Sequence, residues 1–349
     1  MTRDKSKLLQ RTAGARSVTA LGSWPSQWPF TLDRRSFMGR AAALAGAALL
    51  PRDAIAAPQQ YDLEAVEIAP DTYVVYGAQE HFSRSNGGNI VNIAFVATED
   101  GVVVIDTGPS LRYGKALAAL IEATTKRPVV RVYLTHHHPD HIFGSQAFDP
   151  ATIASLPDVI ANMKLSGEMF AENMYRLVGD WMQGTELVVP GSALEKSSER
   201  FGSHEFELIR MAGHTSSDLV ILDKKTGVLF AGDIAFLDRA ATTPHADLAL
   251  WHKSLNELEK SSFTTLVPGH GPAEKGKRAL AQTRDYLTWL DTTLKTSVRD
   301  GLDMNSAMAA PIPERLRSIA LAREEMARSV SHLYAKYEEP YLPVVSDPS

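Results

Sequence analysis

The stretch Thr135-His136-His137-His138-Pro139-Asp140-His141 puts four imidazoles and a carboxylate within six residues, a density that packing alone does not call for. Neutral imidazole is the commonest transition-metal ligand, and a tetrahedral site needs about three or four donors converging on one point. A segment this short cannot enclose a cation alone, so further donors are expected downstream. Three places supply them: Gly213-His214-Thr215, Gly232-Asp233 and Pro268-Gly269-His270-Gly271. Each follows an apolar run that reads as a strand, and loops at strand ends are where functional side chains usually stand. Nitrogen and oxygen donors in these numbers would converge on a transition-metal cation. His137 is expected to point away from its neighbours in an extended segment. His81, His204, His245, His252 and His332 match no ligand spacing and are expected at the surface or behind the ligands.

The elements that must position these residues follow from hydrophobic spacing. Residues 61–78 alternate as one or two half-buried strands, and a turn-rich loop follows at 79–89. Residues 93–97 and 102–105 read as a hairpin around Glu99-Asp100-Gly101 that ends at Asp106-Thr107-Gly108. Residues 111–125 have helical spacing and lead to the β-branched run 129–134, a strand-helix-strand unit that feeds the histidines. Residues 163–182 read as a Met-rich helical region whose methionines fill core space. The strand 206–211 delivers His214. A hairpin of 219–222 and 228–231 delivers Asp233 at its end, residues 246–260 form a helix, and 264–267 deliver His270. Beyond residue 276 the apolar positions, from Leu316 to Tyr337, recur at helical intervals. Asp106 closes a buried apolar strand, where an unpaired carboxylate would be costly, so a partner is expected for it.

The chain has 349 residues, 44% of them hydrophobic, which is the composition of an ordinary globular protein. There are no cysteines, so disulfides, thiolate ligands and a cysteine nucleophile are excluded. No apolar run reaches the roughly 18–20 residues of a membrane-spanning helix. Near the start, Asp33-Arg34-Arg35-Ser36-Phe37-Met38 precedes ten residues of Ala, Leu and Gly and then Ala54-Ile55-Ala56. This resembles a twin-arginine export signal, with Asp33 where Ser or Thr is usual. The resemblance implies a leader over residues 1–56, cleavage near Ala56 and a periplasmic address. The full chain carries a formal charge of −5, and the leader holds more basic than acidic residues, so the remainder is more acidic still. No basic stripe suited to nucleic acid is present beyond the leader. The expected partner is a small-molecule substrate.

Taken together, H-x-H-x-D-H followed by a His, an Asp and a His resembles the metallo-β-lactamase superfamily over roughly residues 61–290. The resemblance implies an α/β fold, an αββα sandwich with metals on one edge. It implies a hydrolase domain over 57–275 and a C-terminal helical extension over 276–349 packed on it. It also implies two zinc ions, the first held by His136, His138 and His214, the second by Asp140, His141 and His270, with Asp233 bridging. A hydroxide shared by the metals would attack an ester, thioester, lactone or amide carbonyl, with Asp140 as the proton acceptor. Asp106 would brace the histidine loop. An Asp at the bridging position is similar to glyoxalase II-type hydrolases, while His138 stands where di-iron flavoproteins of this fold carry Glu, which argues against redox iron. A mononuclear iron site like that of persulfide dioxygenases is the alternative occupant.

The segments Ser85-Asn86-Gly87-Gly88-Asn89-Ile90, Arg127-Pro128, His141-Ile142-Phe143-Gly144, Trp251, Pro268-Gly269-His270-Gly271-Pro272 and Arg284-Asp285-Tyr286-Leu287 are similar to periplasmic zinc metallohydrolases of sulfur-oxidation and quinoprotein relay systems. That likeness implies a quinoprotein dehydrogenase partner. The competing readings are a β-lactamase and a non-catalytic metal-binding accessory of such a dehydrogenase. The loops 79–89 and 236–245 flank the motifs and are expected to line the substrate pocket. Arg239 is a candidate for an anionic group, although solvated charge is its simpler reading.

Overall fold

The computed structural model describes residues 59–342, so the expected export leader lies outside the described residues. The first sheet contains β1 (Val66–Ala69), β2 (Thr72–Val75), β3 (Ile93–Thr98), β4 (Gly101–Ile105), β5 (Val129–Tyr133), β6 (Ile153–Ser155) and β7 (Ser192–Ala193), side by side in chain order. Pairing is antiparallel from β1 to β4 and parallel from β4 to β7. Parallel neighbours need a crossover, which α1 (Leu111–Thr125) supplies between β4 and β5. The Ser110 side chain accepts from the Tyr113 amide to start that helix, and Lys126 ends it in the left-handed region at φ 55°. The short α2 (Pro139–Ile142) opens inside the histidine motif, and α3 (Pro157–Val178) covers the same sheet.

The second sheet has five strands: β8 (Ser198–Phe201), β9 (His204–Met211), β10 (Asp218–Asp223), β11 (Val228–Phe236) and β12 (Thr265–His270), in the order β12-β11-β10-β9-β8. β11 and β12 are parallel and joined through α4 (Leu248–Lys260). Four helices follow: α5 (Arg278–Arg299), α6 (Met304–Met308), α7 (Glu314–Arg317) and α8 (Ala322–Glu338).

Two apolar cores define the layers. Phe95 and Val104 of the first sheet pack with Leu117 of α1, Phe170 of α3 and the inner side chains Phe206, Ile221 and Phe230 of the second sheet. The opposite face of the second sheet, through Leu229 and Leu266, packs on Trp251 of α4, Leu287 and Leu290 of α5, and Met326 and Val330 of α8. Each such fully buried Leu or Phe contributes about 1.5–3 kcal/mol. The result is the expected αββα sandwich, with the C-terminal helices as part of its outer layer. β3 and β4 are buried along their whole length, which is why they read as continuous runs of Val, Ile and Ala.

Two expectations about strands need correction. β11 runs through Asp233 to Phe236, so this carboxylate stands inside a strand and not beyond its end. Parallel pairing with β12 carries the strand onward, and the register shifts around Gly232, whose φ of +48° turns the chain there. β6, β7 and β8 were not anticipated: they are too short to show a period, and pairing to neighbours makes them strands. Among the described residues no helix is long and apolar enough to cross a membrane.

Candidate metal centre

Five segments meet at one edge of the sandwich. The parallel strands β4 and β5 end together, because the Asp106 amide donates to Tyr133 O at 2.8 Å, and this sets Asp106 beside Thr135. The loop after β5 carries His136, His138, Asp140 and His141, the β9–β10 turn carries His214, β11 carries Asp233 and β12 ends on His270. Donor atoms of His136, His138, His214 and Asp233 lie within 4.8 Å of one another, and those of Asp140, His141 and His270 form a second such group. Asp233 stands between the two. Its Oδ2 is 3.2 Å from His214 Nε2 and 3.4 Å from His270 Nε2, and its Oδ1 is 3.3 Å from His141 Nε2. Asp140 Oδ2 is 3.4 Å from His270 Nε2. Gly269 allows this approach, since a Cβ there would lie 1.9 Å from Asp233 Oδ1.

Each ring is oriented from behind. Asp106, itself at φ 61°, takes the Thr135 amide on Oδ1 at 2.8 Å and the Thr135 hydroxyl on Oδ2 at 2.8 Å. The same Oδ2 lies 2.7 Å from His141 Nδ1, leaving His141 Nε2 turned toward Asp233. The Thr135 hydroxyl also lies 3.0 Å from His136 Nδ1. His270 Nδ1 donates to Ile90 O at 2.7 Å, and Asn92 clamps that turn by donating to Pro268 O and Gly271 O. His138 Nδ1 faces His214 Nε2 at 2.8 Å, while its Nε2 faces His245 Nδ1 at 2.8 Å. The His214 ring rests edge-on against Trp251, whose indole donates to Ile234 O.

These are the marks of a cation site. His136 Nε2, His141 Nε2 and Asp233 Oδ1 are buried inside the cluster with no hydrogen-bond partner, which native interiors seldom leave so. Burial holds the imidazoles of His136 and His138 well below the usual histidine range and brings His214 down to about 3. Neutral imidazole is the form that ligates. Burial alone would raise Asp233, but His270, His141 and His214 hold it well below the carboxylate range. His141 goes the other way: burial opposes its charge, yet Asp106, Asp233 and Asp140 together outweigh burial and push it well above the ordinary value. Three carboxylates around one ring call for positive charge, and the residues present fit metal ions that supply it.

A cavity of about 470 Å³ opens onto the cluster, with His138, Asp140, Asp233 and His270 in its wall. The loops expected to line it do so through His81 and Phe82 on one side and Arg239, Thr242, Pro244 and His245 on the other. Arg239 corrects the expectation of solvated charge. It is 3% exposed and its Nη2 lies 3.4 Å from Glu325 Oε1, a partner on α8. His204 is likewise not a surface residue, being buried with Nδ1 2.9 Å from Asp223 Oδ2 at the far end of β9. Contrary to the expectation that it points away, His137 packs beside His138 and His245, and donor atoms of these three lie within 4.8 Å of one another as a third group able to hold a cation. His245 is exposed and stands behind His138, as expected for it, while motif spacing missed Asn92. No local signal marks Asn92, because it reaches the site through a fold-wide contact.

A family model described as the metallo-beta-lactamase superfamily matches residues 86–270, and the chain belongs to that superfamily. It is 27% identical over 183 residues to a beta-lactamase-like protein 2 homolog of Caenorhabditis elegans, covering 52% of this chain and 56% of that protein's length. It is 25% identical to a metallo-beta-lactamase of Chryseobacterium indologenes over 57% of this chain and 76% of that one. An acyl-coenzyme A thioesterase of Homo sapiens is 24% identical over 61% of this chain and 84% of its own. In fold, the chain is similar to a sec-alkylsulfatase from Pseudomonas sp., with a TM-score of 0.58 at 18% identity over 81% of this chain and 52% of that one. The chain is a metal-binding hydrolase of this superfamily.

Proposed function

We propose that the chain is a dinuclear zinc hydrolase that cleaves an ester, thioester, lactone or amide of a small molecule. His136, His138 and His214 would hold one ion and Asp140, His141 and His270 the other, with Asp233 available to both sets. The observation that carries this is Asp233, standing within 3.4 Å of ring nitrogens from both groups on the wall of the cavity. An all-nitrogen-and-oxygen donor set without thiolate suits zinc, and metal analysis separates it from iron. Bound zinc supplies Lewis acidity toward a carbonyl oxygen and brings the pKa of water toward about 7. The chain's own residues do the rest. Asp140, facing the cavity, accepts the proton of the attacking water and returns it to the departing group. Asp106, Ile90 O and His245 hold His141, His270 and His138 in the orientations that this requires.

The thioesterase and lactamase relatives support a carbonyl as the electrophile. Export by the twin-arginine route belongs to the same reading and rests on residues 33–56 of the sequence. The test is metal analysis of the purified protein together with turnover of an ester, thioester, lactone and lactam panel. Two zinc ions per chain and turnover of at least one carbonyl substrate are expected, both abolished by chelation and by Asp233→Ala. Turnover of nitrocefin above background would narrow the reading to a β-lactamase. A zinc-loaded protein inert across the panel that bound a quinoprotein dehydrogenase would replace it with the accessory role.

A further inference from the structure

Away from the metal cluster, the cavity has a charge pattern that the chain as a whole does not share. The chain carries −5, yet the cavity wall holds Arg176, Arg239 and Arg328 and no lysine, and its two carboxylates, Asp140 and Asp233, face the imidazoles. Behind the arginines sits Glu325, fully buried, with Oε1 3.4 Å from Arg239 Nη2 and 3.7 Å from Arg328 Nη1. The same oxygen accepts from Thr242 Oγ1 at 3.1 Å. One carboxylate therefore braces two guanidiniums, and this side of the cavity is left with one guanidinium charge over. Arg239 is used up in this bracing: it also donates to Ala240 O and Thr242 and lies over the Phe236 ring. Arg328 is not. Its side chain is 40% exposed, and this is the guanidinium that α8 leaves open to the cavity.

The remaining wall is apolar, with Phe82, Ile90, Phe170, Met174 and Leu177 lining the same space. Leu177 is 47% exposed, an apolar side chain left standing in an open cavity. Glu325 and Arg328 both lie beyond residue 270, where the family match ends, so this arrangement belongs to the chain's own C-terminal helices.

We propose that Arg328, set in place by the buried Glu325–Arg239 pair, receives a carboxylate at the far end of an otherwise apolar acyl substrate. The proposal rests on the hydrolase reading and names its substrate class: esters or thioesters of acids that carry a second, free carboxylate. A guanidinium presents paired donors that match a carboxylate, and beside an apolar wall that contact is less screened than in water. The anion takes no part in bond making. Glu325 acts through Arg328 and Arg239 and is a positioning residue.

The test uses two esters of equal length on the zinc-loaded protein, the mono-p-nitrophenyl ester of octanedioic acid and p-nitrophenyl octanoate. The charged ester is expected to show a kcat/KM about tenfold higher, through KM, as one charge-assisted contact implies. Arg328→Met abolishes that preference and leaves kcat and the neutral ester within about twofold, Arg328→Lys restores part of it, and Glu325→Gln lowers it. Arg328 is partly exposed, so its variants fold even if the buried Glu325→Gln does not. Calorimetric titration of octanedioate against octanoate supplies a readout without turnover, with tighter binding of the dianion in the wild type and none of that advantage in Arg328→Met. Equal constants for the two esters, or equal binding of the two acids, in the wild type would overturn the proposal while leaving the hydrolase reading intact. If neither ester is cleaved, the hydrolase reading fails on these substrates and the titration still decides the arginine.

Discussion

Replacing Asp106 by Asn should weaken metal binding at the Asp140, His141 and His270 group while leaving the fold in place. Asp106 sits at φ 61°, a left-handed conformation that Asn tolerates as well as Asp, so this change isolates the side chain where Ala would add backbone strain. Asn keeps one carbonyl oxygen for the Thr135 amide, at 2.8 Å in the wild type. Its amide nitrogen then meets the Thr135 hydroxyl, which can turn to accept, and His141 Nδ1, which cannot while it carries a proton. The loss therefore centres on one buried charge-assisted contact of 2.7 Å, worth about 1.5–3 kcal/mol. An independent estimate agrees: losing the outer hydrogen bond of a metal-ligating histidine lowers affinity about 10–100-fold, or roughly 1.4–2.8 kcal/mol. Competition against a chromophoric chelator, followed to two equivalents of zinc, measures it. One site should weaken by that factor and the other, held by His136, His138 and His214, should move less. A variant that binds both equivalents within twofold of the wild type would refute the bracing role of Asp106.

Three further outcomes follow from the geometry. His245→Ala should weaken metal binding at the His136, His138 and His214 group about 10–100-fold in the same titration, because it removes the partner 2.8 Å from His138 Nε2; unchanged affinity would make that contact incidental. Gly269→Ala should leave a folded protein with little bound metal and no turnover, since its Cβ would meet Asp233 Oδ1 at 1.9 Å, and elemental analysis decides it. Burial pushes the Asp218 carboxyl up from 3.8 to about 7, even though it accepts from the Thr215 amide and hydroxyl, which favour its charged form. The folded protein thus keeps a proton that the unfolded chain releases. The stability from this group is complete below about pH 3.8 and is lost as pH rises through about 7. Urea unfolding across that range should show the wild type losing stability relative to Asp218→Asn as pH increases, and a difference flat with pH would contradict the assignment.

Most of the site was legible because its chemistry is local. H-x-H-x-D-H spans six residues, and a β-branched run just before it is enough to put those imidazoles at the end of a strand. Asp106 could be read for the same reason, as a carboxylate closing an apolar strand that has to be paired. His214, Asp233 and His270 each follow an apolar run, and their order along the chain was informative, although it put Asp233 beyond the strand that contains it. The layered architecture was legible from strand and helix periods, whereas β6, β7 and β8 carry no period and exist through pairing with their neighbours.

By itself, then, the sequence determined the donor types, their spacing, the absence of thiolate and the succession of elements that carries them, since side-chain chemistry and periodicity are properties of short segments. Only the tertiary structure decided which other side chains stand around those donors. His245 reaches His138 because its loop is tied to α8, where Thr243 donates to Ser329 at 2.6 Å. Arg239 is buried and not solvated because Glu325, 86 residues away, arrives beside it. A charge leaves water only where a partner awaits it, and that partner comes from a distant segment through packing of the second core, which no local spacing records.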